Sequence, residues 1–213
     1  MTNAHYHIAG ATMLSYRRRE FRFHGVHPWN ADAAPSGCVE EIARKVAADP
    51  DAGVGEIGLD RLRFSRVTPA QRDLFARQLE IAAEFRRPVV LHGAKCWGEV
   101  LRMVEPFAGR VPSFLFHGFS RSGGLIPGIA AVHGFVSVGR AVLNDHAVNY
   151  RDLVKRLPQD RILVETDDDG VAPDVRDGTL SAVFLKVSEL TGITEAMLDA
   201  NAAGFLGPER AEL

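Results

Sequence analysis

Six side chains able to hold a metal occupy matching places in this sequence. His5 and His7 stand two apart in "AHYHI", so on a strand both project from one face. Glu56 ends the apolar part of "GVGE", His92 ends "RPVVLH", His117 ends "VPSFLFH", and Asp167 ends "ILVETD". Four imidazoles and two carboxylates suit zinc, manganese or a similar divalent ion. Six donors are too many for one tetrahedral ion with an open position. They suit two ions that share a bridging carboxylate and a bridging water. Such a pair, roughly 3.5–4 Å apart, generates hydroxide and clamps both the attacking and the leaving oxygen of a displacement.

Each residue also has an ordinary reading. A lone strand-end histidine is more often a satisfied polar side chain, and Glu56 alone could be a loop carboxylate. Asp167 sits in an acidic run, and such runs are usually solvated. The combination changes the balance, because separate accidents would have to put all six at one end of a sheet. Asp168 and Asp169 keep the solvated reading. His27, ahead of Pro28 and Trp29, could face the same mouth and touch a substrate. His24 is as readily structural, and His133 and His146 read as surface or helix-end residues. Asp60 is a candidate partner behind a metal ligand, with a plain turn carboxylate an equal alternative. Lys95, three residues past His92, is a candidate contact for a substrate anion, and Trp97 is expected to pack.

These residues need elements to hold them. "AHYHI", "ATMLSY" and "EFRFHGVH" read as three strands crowded near the N-terminus. "GVGEIGL", "RPVVLH", "VPSFLFH", "GFVSVG" and "DRILVETD" read as five more, separated by helices. Residues 68–85 form the strongest helical pattern, with Thr68 as cap, Pro69 at the first helical position, and Leu74, Phe75, Gln78, Leu79 and Ala82 on one face. Ser36 is expected to cap an earlier helix. Eight strands with later βα alternation predict a compact α/β barrel, a (β/α)8 TIM-like fold whose strand ends meet at one mouth. A doubly wound sheet would be favoured by a glycine-rich phosphate loop after the first strand, and none stands there: the GxGxxG spacing of "GVGEIG" (53–58) falls within a later strand pattern, and GxxxxGK[ST] does not occur.

Length and composition fit one globular domain over residues 1–213. The formal net charge of −2 excludes a global basic field, so any nucleic acid must be held by a local patch. Two cysteines, no leader-like pattern and no long apolar run make the cytoplasm the expected location, and a monomer is expected.

The ordered set of motifs resembles the TatD family of metal-dependent hydrolases, a branch of the amidohydrolase-like TIM barrels. "HYH" (5–7) is similar to the family's HxH, "GVHPW" (25–29) to its GxHP segment, "VGEIGLD" (54–60) to its most specific motif, "FHGFSRS" (116–122) to HxFSGS, and "ILVETD" (162–167) to LLxETD. The resemblance implies that His5, His7, Glu56 and Asp167 hold one divalent ion and that Glu56, His92 and His117 hold the other. The ions would be zinc, manganese or magnesium. It also implies hydrolysis of phosphoester bonds, as in the DNases of the family, often 3′ exonucleases. Departures are Asn3 where Asp is usual, Arg121 where Gly is usual, Asp169 in place of proline, and only 17 residues between His7 and Gly25. That spacing leaves no room for the first barrel helix.

The expected activity is a DNase acting on single-stranded or frayed ends through two-metal hydroxide attack, with Glu56 and Asp167 catalytic and His27, Lys95 and Arg121 contacting phosphate. The alternatives are amidohydrolase-type cleavage of a small ester, lactone or amide, and a metal-binding or interaction module without activity.

Overall fold

The computed structural model describes residues 1–120 and 123–211. Eight strands form one sheet in sequence order: β1 (Asn3–Ile8), β2 (Ala11–Tyr16), β3 (Arg19–His24), β4 (Gly53–Asp60), β5 (Val89–Ala94), β6 (Phe114–Phe116), β7 (Gly134–Val138) and β8 (Ile162–Val164). β1, β2 and β3 pair antiparallel, and every later neighbour pairs parallel. β2 alone therefore runs against the others.

Two tight turns make this meander possible. Ala9 and Gly10 join β1 to β2, and Arg17 and Arg18 join β2 to β3, all at positive φ. Two-residue turns of that kind match the twist of the flanking strands. The reversed strand β2 thus takes the second place in the sheet, and the two tight turns that flank it leave no room for a crossover helix.

The barrel nearly closes between its first and last strands. The Asp167 N–H donates to His5 O at 3.1 Å, and the His7 N–H donates to Asp168 O at 2.7 Å. Asn3 ties the same seam with its amide, donating to Thr166 Oγ1 at 2.9 Å and accepting the Thr166 N–H at 3.2 Å. Thr166 Oγ1 donates on to Asp168 Oδ1 at 2.7 Å, which also accepts from Arg176 at 3.2 Å. Asp168 is therefore buried, against the solvated reading of its acidic run. Its charge is matched inside the seam, whereas Asp169 is exposed as expected.

Seven helices stand between or after the parallel strands: α1 (Cys38–Ala48), α2 (Pro69–Glu84), α3 (Trp97–Val104), α4 (Ile126–Ala131), α5 (Val148–Val154), α6 (Pro173–Thr191) and α7 (Glu195–Leu206). A short α8 (Pro208–Ala211) follows. Thr68 caps α2 by accepting the Gln71 N–H, and the five residues expected on one face are all buried. Ser36 does not cap α1. Gly37 takes that position in a left-handed conformation at φ +85°, with no side-chain hydrogen bond.

Strand periodicity divides the core in two. Val90, Leu115, Phe135 and Leu163 join Leu14, Phe21 and Phe23 inside the barrel. Their neighbours Val89, Leu91, Phe114, Phe116, Ile162 and Val164 pack outward under the helices. Ala202, Phe205 and Leu206 of α7 join the inner cluster, with the Phe205 ring stacked 6.1 Å from Phe23. No helix among the described residues is long and apolar enough to cross a membrane.

Candidate metal centre

The carboxyl ends of β1, β3 and β4–β8 share one rim. His5 and His7 come from β1, Glu56 from β4 and His92 from β5, while His117 follows β6 directly and Asp167 stands three residues past β8. The pairing register of β1 with β2 shifts between Asn3 and Tyr6. Bulges of this kind re-aim side chains beside functional sites.

Glu56 lies at the centre and is 5 % exposed. Its Oε1 faces His92 Nδ1 at 2.7 Å, His117 Nε2 at 2.8 Å and His27 Nε2 at 3.4 Å. Its Oε2 faces His5 Nε2 at 3.3 Å and His7 Nε2 at 3.7 Å. Asp167 Oδ1 approaches the same two nitrogens at 3.4 and 3.7 Å. One carboxylate thus presents each oxygen to a different set of imidazoles. The Gly55–Glu56 peptide is cis.

The structure brings all six expected donors together and adds His27. Three sets of ligand atoms lie close enough to share an ion: His5, His117 and Asp167; His5, His7 and Glu56; and His27, Glu56 and His92. His5 is fully buried, yet neither ring nitrogen makes a hydrogen bond, and His117 Nδ1 is likewise unsatisfied. Buried polar atoms without partners are costly. His5 Nε2 faces the Glu56 and Asp167 carboxylates and His117 Nδ1 faces Glu165, and imidazoles set around carboxylates fit divalent cations of the zinc and manganese kind.

Electrostatics point the same way. Burial would raise the Glu56 carboxyl, but His117, then His27 and His5, hold it well below the ordinary range. Burial also opposes ionisation of Asp167, and His5 and His7 outweigh it to hold this carboxyl low. Burial lowers the imidazoles of His5, His92 and His117, yet their carboxylate neighbours bring each above its ordinary value. His27 is pushed down, chiefly by burial.

Two carboxylates stand behind the histidines. Asp60 Oδ2 lies 3.0 Å from His92 Nε2 and accepts the Trp29 indole N–H at 2.6 Å, while Oδ1 accepts the Arg63 N–H at 2.7 Å. The other is Glu165, which sequence reasoning passes over. It is 1 % exposed, accepts the Gly118 N–H at 2.9 Å and the Ser137 hydroxyl, and lies 3.7 Å from His117 Nδ1. Its one signal in the sequence is its place in "ETD", where Asp167 overshadows it. Carboxylates so placed fix the orientation of ligating histidines.

Lys95 is exposed and lines a cavity of about 800 Å³ together with His92, His117 and Asp167. Arg121 lies outside the described residues. His24 does not reach the cluster. It lines a separate cavity of about 420 Å³ with Arg22 and Lys45. His133 and His146 are exposed, and Trp97 is buried against Phe116 and Phe119.

A family model described as TatD related DNase matches residues 3–203. The chain belongs to the TatD family. Among TatD relatives, the 3′-5′ ssDNA/RNA exonuclease TatD of Pectobacterium carotovorum is 31 % identical over 144 residues, covering 67 % of this chain and 55 % of that protein. The protein of the same name from Edwardsiella piscicida is 29 % identical over 147 residues, covering 68 % and 54 %. The chain therefore spans about half the length of the curated relatives it matches. Among solved structures, a TatD homolog from Escherichia coli K12 superposes with a TM-score of 0.72 at 24 % identity, covering 86 % of this chain and 75 % of the other. A TatD family hydrolase from Entamoeba histolytica gives 0.70 at 17 % identity, covering 86 % and 73 %. At those identities the likeness speaks for the TIM-barrel fold alone.

Proposed function

We propose that this chain is a divalent-metal-dependent phosphodiesterase that trims single-stranded or frayed DNA ends. The observation that carries the reading is Glu56, a buried carboxylate with imidazoles on both oxygens. The exonuclease names of the relatives support the substrate class.

In this reading His5, His7, Glu56 and Asp167 hold one cation, and Glu56, His92 and His117 hold the second. Bound divalent cations supply Lewis acidity and a nucleophile at neutral pH. Asp167, held ionised, orients the attacking water and accepts its proton at Oδ1. Asp60 and Glu165 keep the rings of His92 and His117 in place. His27 and Lys95 steer the scissile phosphate, since the first flanks Glu56 and the second lines the adjoining cavity. We also read residues 1–213 as one domain, because a single cluster draws on residues 5 and 167. Free Cys38 and Cys96 suit a reducing, cytoplasmic setting.

The test is degradation of a single-stranded oligonucleotide labelled at either end, with Mn²⁺, Mg²⁺ or Zn²⁺ and with chelator, by the wild type and Glu56→Gln. We expect metal-dependent loss of nucleotides from the 3′ end and at least a hundred-fold slower trimming by Glu56→Gln. Cleavage that ignores chelator would sink the reading. So would turnover of carboxylic esters, lactones or amides without phosphodiester cleavage, or no turnover of any substrate.

A further inference from the structure

The segment joining β4 to α2 begins Arg61-Leu62-Arg63-Phe64-Ser65-Arg66. Arg61, Arg63 and Arg66 are all exposed. Among the described residues, none of the three has a carboxylate within ion-pair distance. Elsewhere the exposed arginines Arg72, Arg77 and Arg110 each meet a glutamate. Arg17, Arg18 and Arg22 are likewise exposed without an ion pair among the described residues, so this loop is set apart by its place, with Arg61 lining the cavity beside the metal cluster and Arg63 over the Trp29 ring, in a chain of net charge −2.

The same ridge exposes apolar surface. Leu62 is 60 % exposed and Trp29 is 47 % exposed. Trp29 is not a loose side chain, because its indole N–H is fixed on Asp60. The Arg63 guanidinium lies 4.6 Å from the centre of its ring. Asp60 also accepts the Arg63 N–H and stands 3.0 Å from His92. One carboxylate thus links the aromatic ring, the basic loop and the metal cluster. Arg61 and Leu62 line the same cavity as His92, His117 and Asp167, so the ridge is continuous with the candidate site.

We propose that Trp29 and the Arg61–Arg66 loop form a subsite for single-stranded nucleic acid, with a base stacked against Trp29 and the flanking phosphates met by the three arginines. The proposal deepens the nuclease reading and rests on it. A pinned indole offers a stacking surface with little ordering left to do. Stacking is tolerant of sequence, because every base has a π-face, and a guanidinium plane adds a second surface of the same kind. Unpaired arginines attract a polyanion locally even when the whole chain is slightly acidic. A duplex keeps its base faces internally stacked, so this surface selects frayed or single strands.

The experiment measures binding of fluorescein-labelled dT12, made with phosphorothioate linkages to resist cleavage, to the full chain over a range of salt. Trp29→Ala is expected to weaken binding about ten-fold, while Trp29→Phe retains most of it. The triple variant Arg61→Ala, Arg63→Ala, Arg66→Ala is expected to flatten the slope of log K against log salt by about 2, since each phosphate left unneutralised on a single strand removes about 0.7. With the wild type, an abasic strand of equal length is expected to bind about as weakly as dT12 binds Trp29→Ala. An abasic strand that binds as well as dT12 overturns the stacking role without needing any variant to fold. An unchanged salt slope in the folded triple variant overturns the arginine role. Wild-type turnover of bis(p-nitrophenyl) phosphate with Mn²⁺, followed separately, reports on the metal-centre reading alone, so failure there is distinguishable from failure of the subsite.

Discussion

Glu56 shows how much a single residue depends on its surroundings. Alone it would be an ordinary carboxylic acid, and burial would favour its neutral form. Five imidazole nitrogens within 3.7 Å keep it ionised instead. Protons and cations therefore compete for the same cluster. The raised imidazoles of His5, His92 and His117 contribute stability that is present below their ordinary value and lost as pH rises through their folded values. The lowered carboxyls of Glu56 and Asp167 contribute stability present above the ordinary carboxylate range and lost as pH falls through their folded values. His27, lowered by burial, works against the other histidines. The metal-free chain should consequently be most stable at mildly acidic pH, between these two ranges. Added Zn²⁺ or Mn²⁺ should raise Tm little near about pH 5.5 and progressively more toward about pH 8, in thermal melts with and without chelator. A metal-induced gain that does not change with pH would contradict this. Glu165→Gln tests the carboxylate behind His117. It should weaken metal binding about 10- to 100-fold by calorimetric titration while leaving the fold intact.

At the scale of elements, β4 and β5 must run close together for Glu56 and His92 to meet. Gly58 allows that approach. Its φ is +144°, and a Cβ there would stand 2.1 Å from His92 O. Gly58→Ala should therefore cost about 2–5 kcal/mol, a strained backbone combined with an overlap. Denaturant titration measures this, and the accompanying displacement of His92 should abolish metal-dependent turnover. A variant as stable and as active as the wild type would refute that account. Most elements are legible in the sequence because their signals are local. The α2 cap and its buried face follow from Thr68, Pro69 and the spacing of Leu74, Gln78 and Ala82. The start of α1 is not legible in that way, since the serine in "SGC" competes with a glycine that tolerates positive φ. Nor is the end of β8. "ILVETD" continues as an extended pattern, but the strand stops at Val164, and Glu165 and Thr166 turn their side chains to Ser137 and Asn3.

Over the whole molecule, the site depends on closing the barrel, since His5 and His7 arrive on the first strand and Asp167 just past the last. Asn3 is the side-chain clasp of that seam, although the family usually has Asp there. Asn3→Ala would leave the buried Thr166 N–H without its acceptor, at a cost of about 1–3 kcal/mol. It should also lower metal affinity, because the strands bearing His5 and Asp167 would no longer be held in register. Unchanged stability and unchanged affinity, by melt and by titration, would show that the backbone pairs suffice. The sequence by itself determined the eight strands and the loss of the first helix and singled out the six candidate donors, because strand-end polarity, turn residues and spacing are properties of short segments. Only the tertiary structure decided that His27 touches Glu56, that Asp168 is buried, that Glu165 stands behind His117, and that Arg63 lies over Trp29. Those facts join residues tens to hundreds of positions apart, and such distances become contacts only when the sheet curls and its first strand meets its last.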